Sequence, residues 1–174
     1  IYTRTMQCFL RRITPFRTSE NQADGVVITF VDLTATKRAE AEQRERDACF
    51  REVFEHAVTG IAIVGLDGLF VKCNPAFCKL VGYSEDELRS MHFLTLVHLD
   101  DRSRNNDALR CLRNGETTYF DIDNRYVHKS GAVVFVRKFV STLPDGSGNT
   151  NHLMELITDV SLQRKTLDEL QQSE

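Results

Sequence analysis

The chain has 174 residues, of which 41% are hydrophobic and 27% charged. That balance fits a folded globular chain and excludes wholesale disorder. Lys plus Arg number 22 against 25 Asp plus Glu, a net charge of −3 that points to neither a nucleic-acid nor an anionic-membrane partner.

No apolar run approaches the roughly 20 residues a membrane-spanning helix needs, and no signal-peptide pattern opens the chain. The five cysteines, Cys8, Cys49, Cys73, Cys78 and Cys111, are odd in number and scattered. No Cys-x-x-Cys pair occurs, so a zinc ribbon has little support. Free thiols in a reducing cytoplasm are the expectation. Because the first residue is Ile1, the chain is expected to be part of a longer protein. A membrane anchor of that parent would lie outside it.

The elements follow in chain order. Strand-like blocks around Phe9–Ile13 and Ile28–Leu33 flank a turn-rich stretch, Ser19 to Gly25. Residues 35–56 are rich in Ala, Glu, Gln and Arg without Gly or Pro, which predicts a solvated linker helix with a weak apolar seam. Thr59–Gly65 is an apolar strand, Asp67-Gly68 a two-residue hairpin signal, and Leu69–Cys73 the returning strand. Asn74-Pro75 predicts a helix start and Gly82 the stop of a short helix from Ala76 to Val81. Ser84-Glu85-Asp86-Glu87 is a capping box opening a second short helix through Arg89. His98 to Arg113 reads as a broken helical segment closed by Asn114-Gly115.

Three strands follow, Tyr119–His128, Val133–Thr142 and His152–Thr158. Hairpin-joined strands pair antiparallel, and the short helices between them must cover one face, which makes the class α+β. In the middle strand Val134, Val136 and Val140 share one face and Val133, Phe135 and Phe139 the other. Both faces are therefore expected to be covered, one by helices and the other by a neighbour or a second chain.

The chain also repeats itself. Phe9-Leu10-Arg11-Arg12-Ile13 matches Phe135-Val136-Arg137-Lys138-Phe139, and Asp32-Leu33-Thr34 matches Asp159-Val160-Ser161, at offsets of 126 and 127 (135 − 9 and 159 − 32). A repeat that long is domain-sized. It reads as two tandem copies, the first represented by its last two strands only.

The second copy resembles a PAS domain, the sensory-box family. The resemblance rests on Cys73-Asn74-Pro75-Ala76-Phe77 and Leu80-Val81-Gly82-Tyr83-Ser84-Glu85-Asp86-Glu87-Leu88. His98-Leu99-Asp100-Asp101-Arg102, His128-Lys129-Ser130-Gly131 and the exit motif Thr158-Asp159-Val160-Ser161 follow in the family's order. Leu99 stands where the family commonly has Pro. Ile28 to Thr34 is similar to the exit of a second such domain. The expected organisation is a hairpin from a preceding PAS domain (1–34), a helical linker (35–56), a PAS domain (57–160) and an outgoing signalling helix (161–174).

The resemblance implies a five-stranded antiparallel sheet with helices over one face, enclosing a pocket. It implies a cytoplasmic sensory or relay module of a bacterial signalling protein, not an enzyme. Its output domain, such as a histidine kinase or diguanylate cyclase, would lie elsewhere in the parent. The alternative is a ligand-free dimerisation scaffold. No phosphate-binding glycine loop, phosphoacceptor block or coherent triad supports catalysis.

Pocket candidates by family position are Asn74, Phe77, Cys78, Phe93, Cys111, Tyr126 and Val136. The ligand is unknown. A photoadduct flavin needs a thiol where His92 stands, and haem needs a histidine that Ser103–Arg113 lacks. His98, Asp100 and Asp101 match no established metal spacing, and the two aspartates are expected to favour the start of the following helix. Cys73 and Cys78 read as small core residues, and Cys111 has no basic partner in view.

Signal coupling is expected at Asp159 and Ser161, and at Asp32 and Thr34 of the first copy, where an apolar strand meets a helix. Lys129 and Arg137 are the expected ion-pair partners of Asp159. Leu162, Leu167 and Leu170 give the exit helix apolar surface. A homodimer through the linker helix and the apolar sheet face is expected, with no nucleic-acid or direct membrane contact.

Overall fold

The computed structural model describes residues 7–17 and 23–172. It divides into two units, residues 1–52 and 53–174.

In the first unit, β1 (Phe9–Arg17) and β2 (Ala23–Asp32) form an antiparallel hairpin with Phe9 opposite Asp32. The core of the turn expected at Ser19–Gly25 lies outside the described residues. The hairpin leads into helix α1 (Thr34–His56). Leu10, Ile13, Val26, Ile28 and Phe30 are all about half exposed. A two-stranded sheet without a third strand or a packed helix is marginal in water.

The second unit is a five-stranded antiparallel sheet. Its strands are β3 (Gly60–Gly65), β4 (Phe70–Cys73), β5 (Tyr119–Val127), β6 (Val133–Pro144) and β7 (Thr150–Asp159), in the order β4-β3-β7-β6-β5. Helices α2 (Pro75–Val81), α3 (Glu85–Arg89) and α4 (Arg102–Arg113) cross between β4 and β5. Helix α5 (Ser161–Gln172) leaves the end of β7.

Four residues, Leu66 to Leu69, connect β3 to β4, and the tight loop closed by the Gly65–Leu69 hydrogen bond is three residues, Leu66 to Gly68, not the two-residue turn the sequence suggests. Gly68 N donates to Gly65 O, Gly65 N donates to Leu69 O, and Gly68 has φ +87°. A turn followed by a left-handed residue makes a three-residue loop, and a separate bulge at Val71 shifts the register between Ile63 and Val64.

Local chemistry sets the helix ends. Asn74 Oδ1 accepts from Phe77 N at 2.9 Å, with Pro75 in the first turn. Gly82 ends α2 at φ +79°, and a Cβ there would strike the His128 ring. Ser84 and Glu87 form the reciprocal capping box of α3.

The core lies between the sheet and these helices and includes Phe77, Leu88, Phe93, Leu96, Leu112 and Ile157, each at most 3% exposed. The segment before α4 closes the β5 edge, with His98 N on Arg125 O and Val127 N on Leu96 O. That pairing satisfies part of an otherwise open strand edge.

Asp100 and Asp101 stand directly before α4, and the Asp101 carboxylate is held by Arg125. The largely apolar inner face of β6 also carries a charge, because Lys138 lies between Val136 and Val140 with all three buried. One further sequence expectation is corrected: the repeat keeps one offset rather than two.

The constant offset is visible in hydrogen bonds. Cys8 N donates to Thr34 Oγ1 at 2.9 Å, and Phe135 N to Ser161 Oγ at 3.1 Å. Leu33 N reaches Cys8 O as Val160 N reaches Phe135 O. The differences 135 − 8 and 161 − 34 both equal 127. Phe9, Arg11 and Ile13 therefore correspond to Val136, Lys138 and Val140. A one-residue slip in a strand exchanges its two faces, so the hydrogen-bonded register decides which residues correspond.

Candidate functional site

The inner face of the sheet carries a charged pair in the middle of the core. Alternation along β6 places Val136, Lys138 and Val140 inward, and alternation along β7 places Leu153, Glu155 and Ile157 inward. Lys138 is paired with Ile157 and Glu155 with Val140, so the two charges are diagonal neighbours. Lys138 Nζ stands 3.6 Å from Glu155 Oε1, and both side chains are 1% exposed.

Two asparagines complete the cluster. Lys138 Nζ donates to Asn105 Oδ1 at 3.0 Å. Asn105 and Asn124 exchange amide hydrogen bonds of 2.8 and 3.1 Å, and Asn105 Nδ2 also reaches Asp101 O. Lys138 Nζ lies 5.3 Å from the centre of the Phe93 ring, a cation–π distance. Glu155 Oε2 is buried without a hydrogen-bond partner. An ion pair in a low-dielectric interior recovers its desolvation cost only if its remaining donors and acceptors are matched, and here one acceptor is not, so the pair is a net burden on stability. Burial, with the Glu155 carboxylate adding to it, pushes the Tyr126 phenol well above its usual value. Burial pushes the Cys73 thiol up as well.

Sequence reasoning missed Lys138, Glu155, Asn105 and Asn124. The signal for two of them was present: a charge in phase with the apolar residues of Val134-Phe135-Val136-Arg137-Lys138-Phe139-Val140 and of Leu153-Met154-Glu155-Leu156-Ile157.

The expected pocket residues have several different surroundings. Phe77, Phe93, Tyr126 and Val136 are buried in one core, with Phe93 facing Lys138. Asn74 makes three hydrogen bonds: its Oδ1 accepts from Ile61 N and Phe77 N, and its Nδ2 donates to Thr59 O. It staples the start of β3 to the start of α2. Cys78 is half-buried at the core edge. Cys111 is half-buried on α4, and its hydrogen bond to the Glu116 carboxylate raises its thiol. His92 Nδ1 accepts from Leu94 N at 3.2 Å and its ring stacks on Phe93. Beside them a cleft of about 390 Å³ is lined by His92, Phe93 and Arg110.

The strand-to-helix junction is tightly bonded. Asp159 Oδ1 accepts from Ser161 N at 2.8 Å, as Asp32 Oδ1 accepts from Thr34 N at 2.9 Å. Hydrogen bonding from Thr34 holds the Asp32 carboxyl below its ordinary value. The expected pairing of Asp159 with Lys129 and Arg137 does not occur. Arg137 lies directly opposite Asp123 on β5 and binds it at 2.9 and 3.3 Å. It is on the outer face of β6, whereas Asp159 lies opposite the inward Val136. Lys129 follows β5, is tied to Val81 O through its backbone N–H, and pairs with Glu87. Arg164 of α5 adds a second guanidinium to Asp123 at 3.1 Å. These arginines, Arg137 first, hold the Asp123 carboxyl below its ordinary value.

Comparison with known proteins agrees with this architecture. Residues 70–155 match the family model described as PAS fold, and residues 1–34 match one described as PAS domain. The chain is 29% identical over 122 residues to the protein named probable diguanylate cyclase DgcE of Escherichia coli (strain K12), covering 70% of this chain and 11% of that one. It is 25% identical over 130 residues to the sensor histidine kinase TmoS of Ectopseudomonas mendocina, covering 72% of this chain and 13% of that one. The chain thus spans a small fraction of these curated relatives. A solved PAS domain from Colwellia psychrerythraea superposes with a TM-score of 0.59 at 16% identity, covering 70% of this chain and 97% of the other.

Proposed function

This chain carries a PAS domain, and on that premise we propose that it is a sensory or relay module passing a ligand or partner state to an output domain beyond these residues. In this reading residues 57–160 are the sensing domain, 1–34 the end of a preceding PAS domain, 35–56 the linker and 161–174 the start of the signalling helix. The fragment itself is not catalytic, and it works in the cytoplasm. Among the described residues no helix is long and apolar enough to cross a membrane.

One observation carries the proposal. Strand β7 runs without interruption from the buried Glu155 to Asp159, whose carboxylate receives Ser161 N at the first turn of α5. A change at Glu155 is therefore four residues from Asp159 and six from the first residue of the outgoing helix. The mechanism is a population shift: a ligand or partner favours one packing of the helices on the sheet, and the exit strand carries that difference into α5. The shared 127-residue offset of the two junctions supports a tandem arrangement, in which α1 relays from the first copy to the second.

A second reading is a ligand-free dimerisation scaffold. It is favoured by Phe77, Val136, Val140 and Ile157, which fill the core at 0% exposure. The dimer would form through α1 and the outer sheet face, where Tyr119 and Phe139 stack at 5.5 Å. Native mass spectrometry with an absorption spectrum separates the two. A retained small-molecule mass or visible band is the sensor outcome. A clean apo dimer is the scaffold outcome and counts against ligand sensing.

A further inference from the structure

The outer face of the sheet carries a cleft where α5 leaves it, and its charges do not balance. The cleft encloses about 530 Å³, within the range of small-molecule sites, and its lining includes Asp123, Phe135, Arg137, Ser161, Arg164 and Lys165. A depression of about 360 Å³ shares Asp123, Phe135 and Arg164 with it and adds Arg104. Arg125 and Asp101, also at that depression, neutralise each other in a close pair. What remains is four cations, Arg104, Arg137, Arg164 and Lys165, around the single carboxylate of Asp123.

The donors are under-used as well. Arg137 spends two nitrogens on Asp123, but Arg164 makes one hydrogen bond to it and lies over the Phe135 ring at 5.1 Å. Arg104 reaches the backbone carbonyl of Asp123 rather than a carboxylate. A guanidinium has five N–H donors, and bidentate recognition of an oxyanion is its strongest use. The first turn of α5 opens at Ser161 on the cleft wall, but Asp159 Oδ1 already takes the Ser161 N–H, so the excess positive charge of the cleft comes from its side chains.

We propose that this cleft binds a small multivalent oxyanion, a phosphate ester or a polycarboxylate, which takes Arg164 from Asp123. The larger cleft lies on the sheet face opposite the core, whereas the smaller depression reaches the β5 edge, where Asn124 of the core cluster also lines it. Arg164 is in the first turn of α5, so an anion that captures it alters how the outgoing helix is fastened to β5.

The test is titration of pyrophosphate, and separately of citrate, into the 174-residue chain at fixed ionic strength set with chloride. Amide chemical shifts and calorimetry are the readouts. Saturable shifts in β5, β6 and the first turn of α5 are expected. Arg164→Gln weakens binding about tenfold, Lys165→Gln weakens it less, and Asp123→Asn tightens it about threefold by removing the competing carboxylate. Binding by pyrophosphate alone assigns a phosphate source, and by citrate alone a carboxylate source. The proposal is overturned by the absence of saturable shifts with both, by equal shifts with chloride, or by shifts confined elsewhere. It is equally overturned if well-folded Arg164→Gln and Lys165→Gln variants bind as the parent does, or if Asp123→Asn fails to tighten binding.

Discussion

Lys138 Nζ lies 3.6 Å from Glu155 Oε1 with both side chains 1% exposed, and Glu155 Oε2 has no hydrogen-bond partner. The pair is therefore buried with one carboxylate oxygen unmatched. Removing one member leaves the other buried alone. Lys138→Met is expected to cost about 3–5 kcal/mol, whereas the double variant Lys138→Met/Glu155→Leu recovers wild-type stability or exceeds it. Urea unfolding of the three chains checks this. Equal losses from the single and double variants would show that the pair is not uncompensated.

Acid should loosen the exit helix. The carboxyls of Asp123 and Asp101 are held below their ordinary value of 3.8, first by hydrogen bonds from Arg137 and Arg125 respectively. A carboxyl depressed in the folded state contributes stability above its unfolded pKa and loses it as pH falls through the folded one. Unfolding midpoints should hold steady with respect to these groups above about pH 5 and decline below about pH 4. Asp123→Asn should flatten part of that decline. An acid limb unchanged by this substitution would contradict the assignment.

Gly82 stands at φ +79° with the His128 ring beside the position a Cβ would take. Gly82→Ala should destabilise the domain by about 1–2 kcal/mol, from the left-handed backbone and displacement of the ring. Thermal unfolding measures it. Gly115, at φ +73° with open space around it, should give a smaller loss when changed to alanine. The reverse ranking would place the strain elsewhere.

Much of this architecture was legible in the sequence because its signals are local. Asn74-Pro75, Gly82 and Ser84-x-x-Glu87 each fix a helix end through a hydrogen bond or a φ value that needs no distant partner. What was not legible depends on register and on the third dimension. The repeat looked one residue out of step because Phe9 resembles Phe135 in type, while the strand pairing equates it with Val136. Arg137 seemed available to Asp159 until strand pairing set it against Asp123. The Lys138, Glu155, Asn105 and Asn124 cluster draws on three strands and a helix, so only its in-phase charges could have been noticed.

In the proposed mechanism the core communicates with whatever follows through the β7–α5 junction. The most direct measurement is the output activity of the full-length protein carrying Asp159→Ala, with circular dichroism confirming that the domain remains folded. Loss of the Asp159–Ser161 hydrogen bond should cost about 1 kcal/mol of stability. An altered basal output or a narrowed response range beyond that modest loss is expected. Wild-type output in both basal and stimulated states would contradict it.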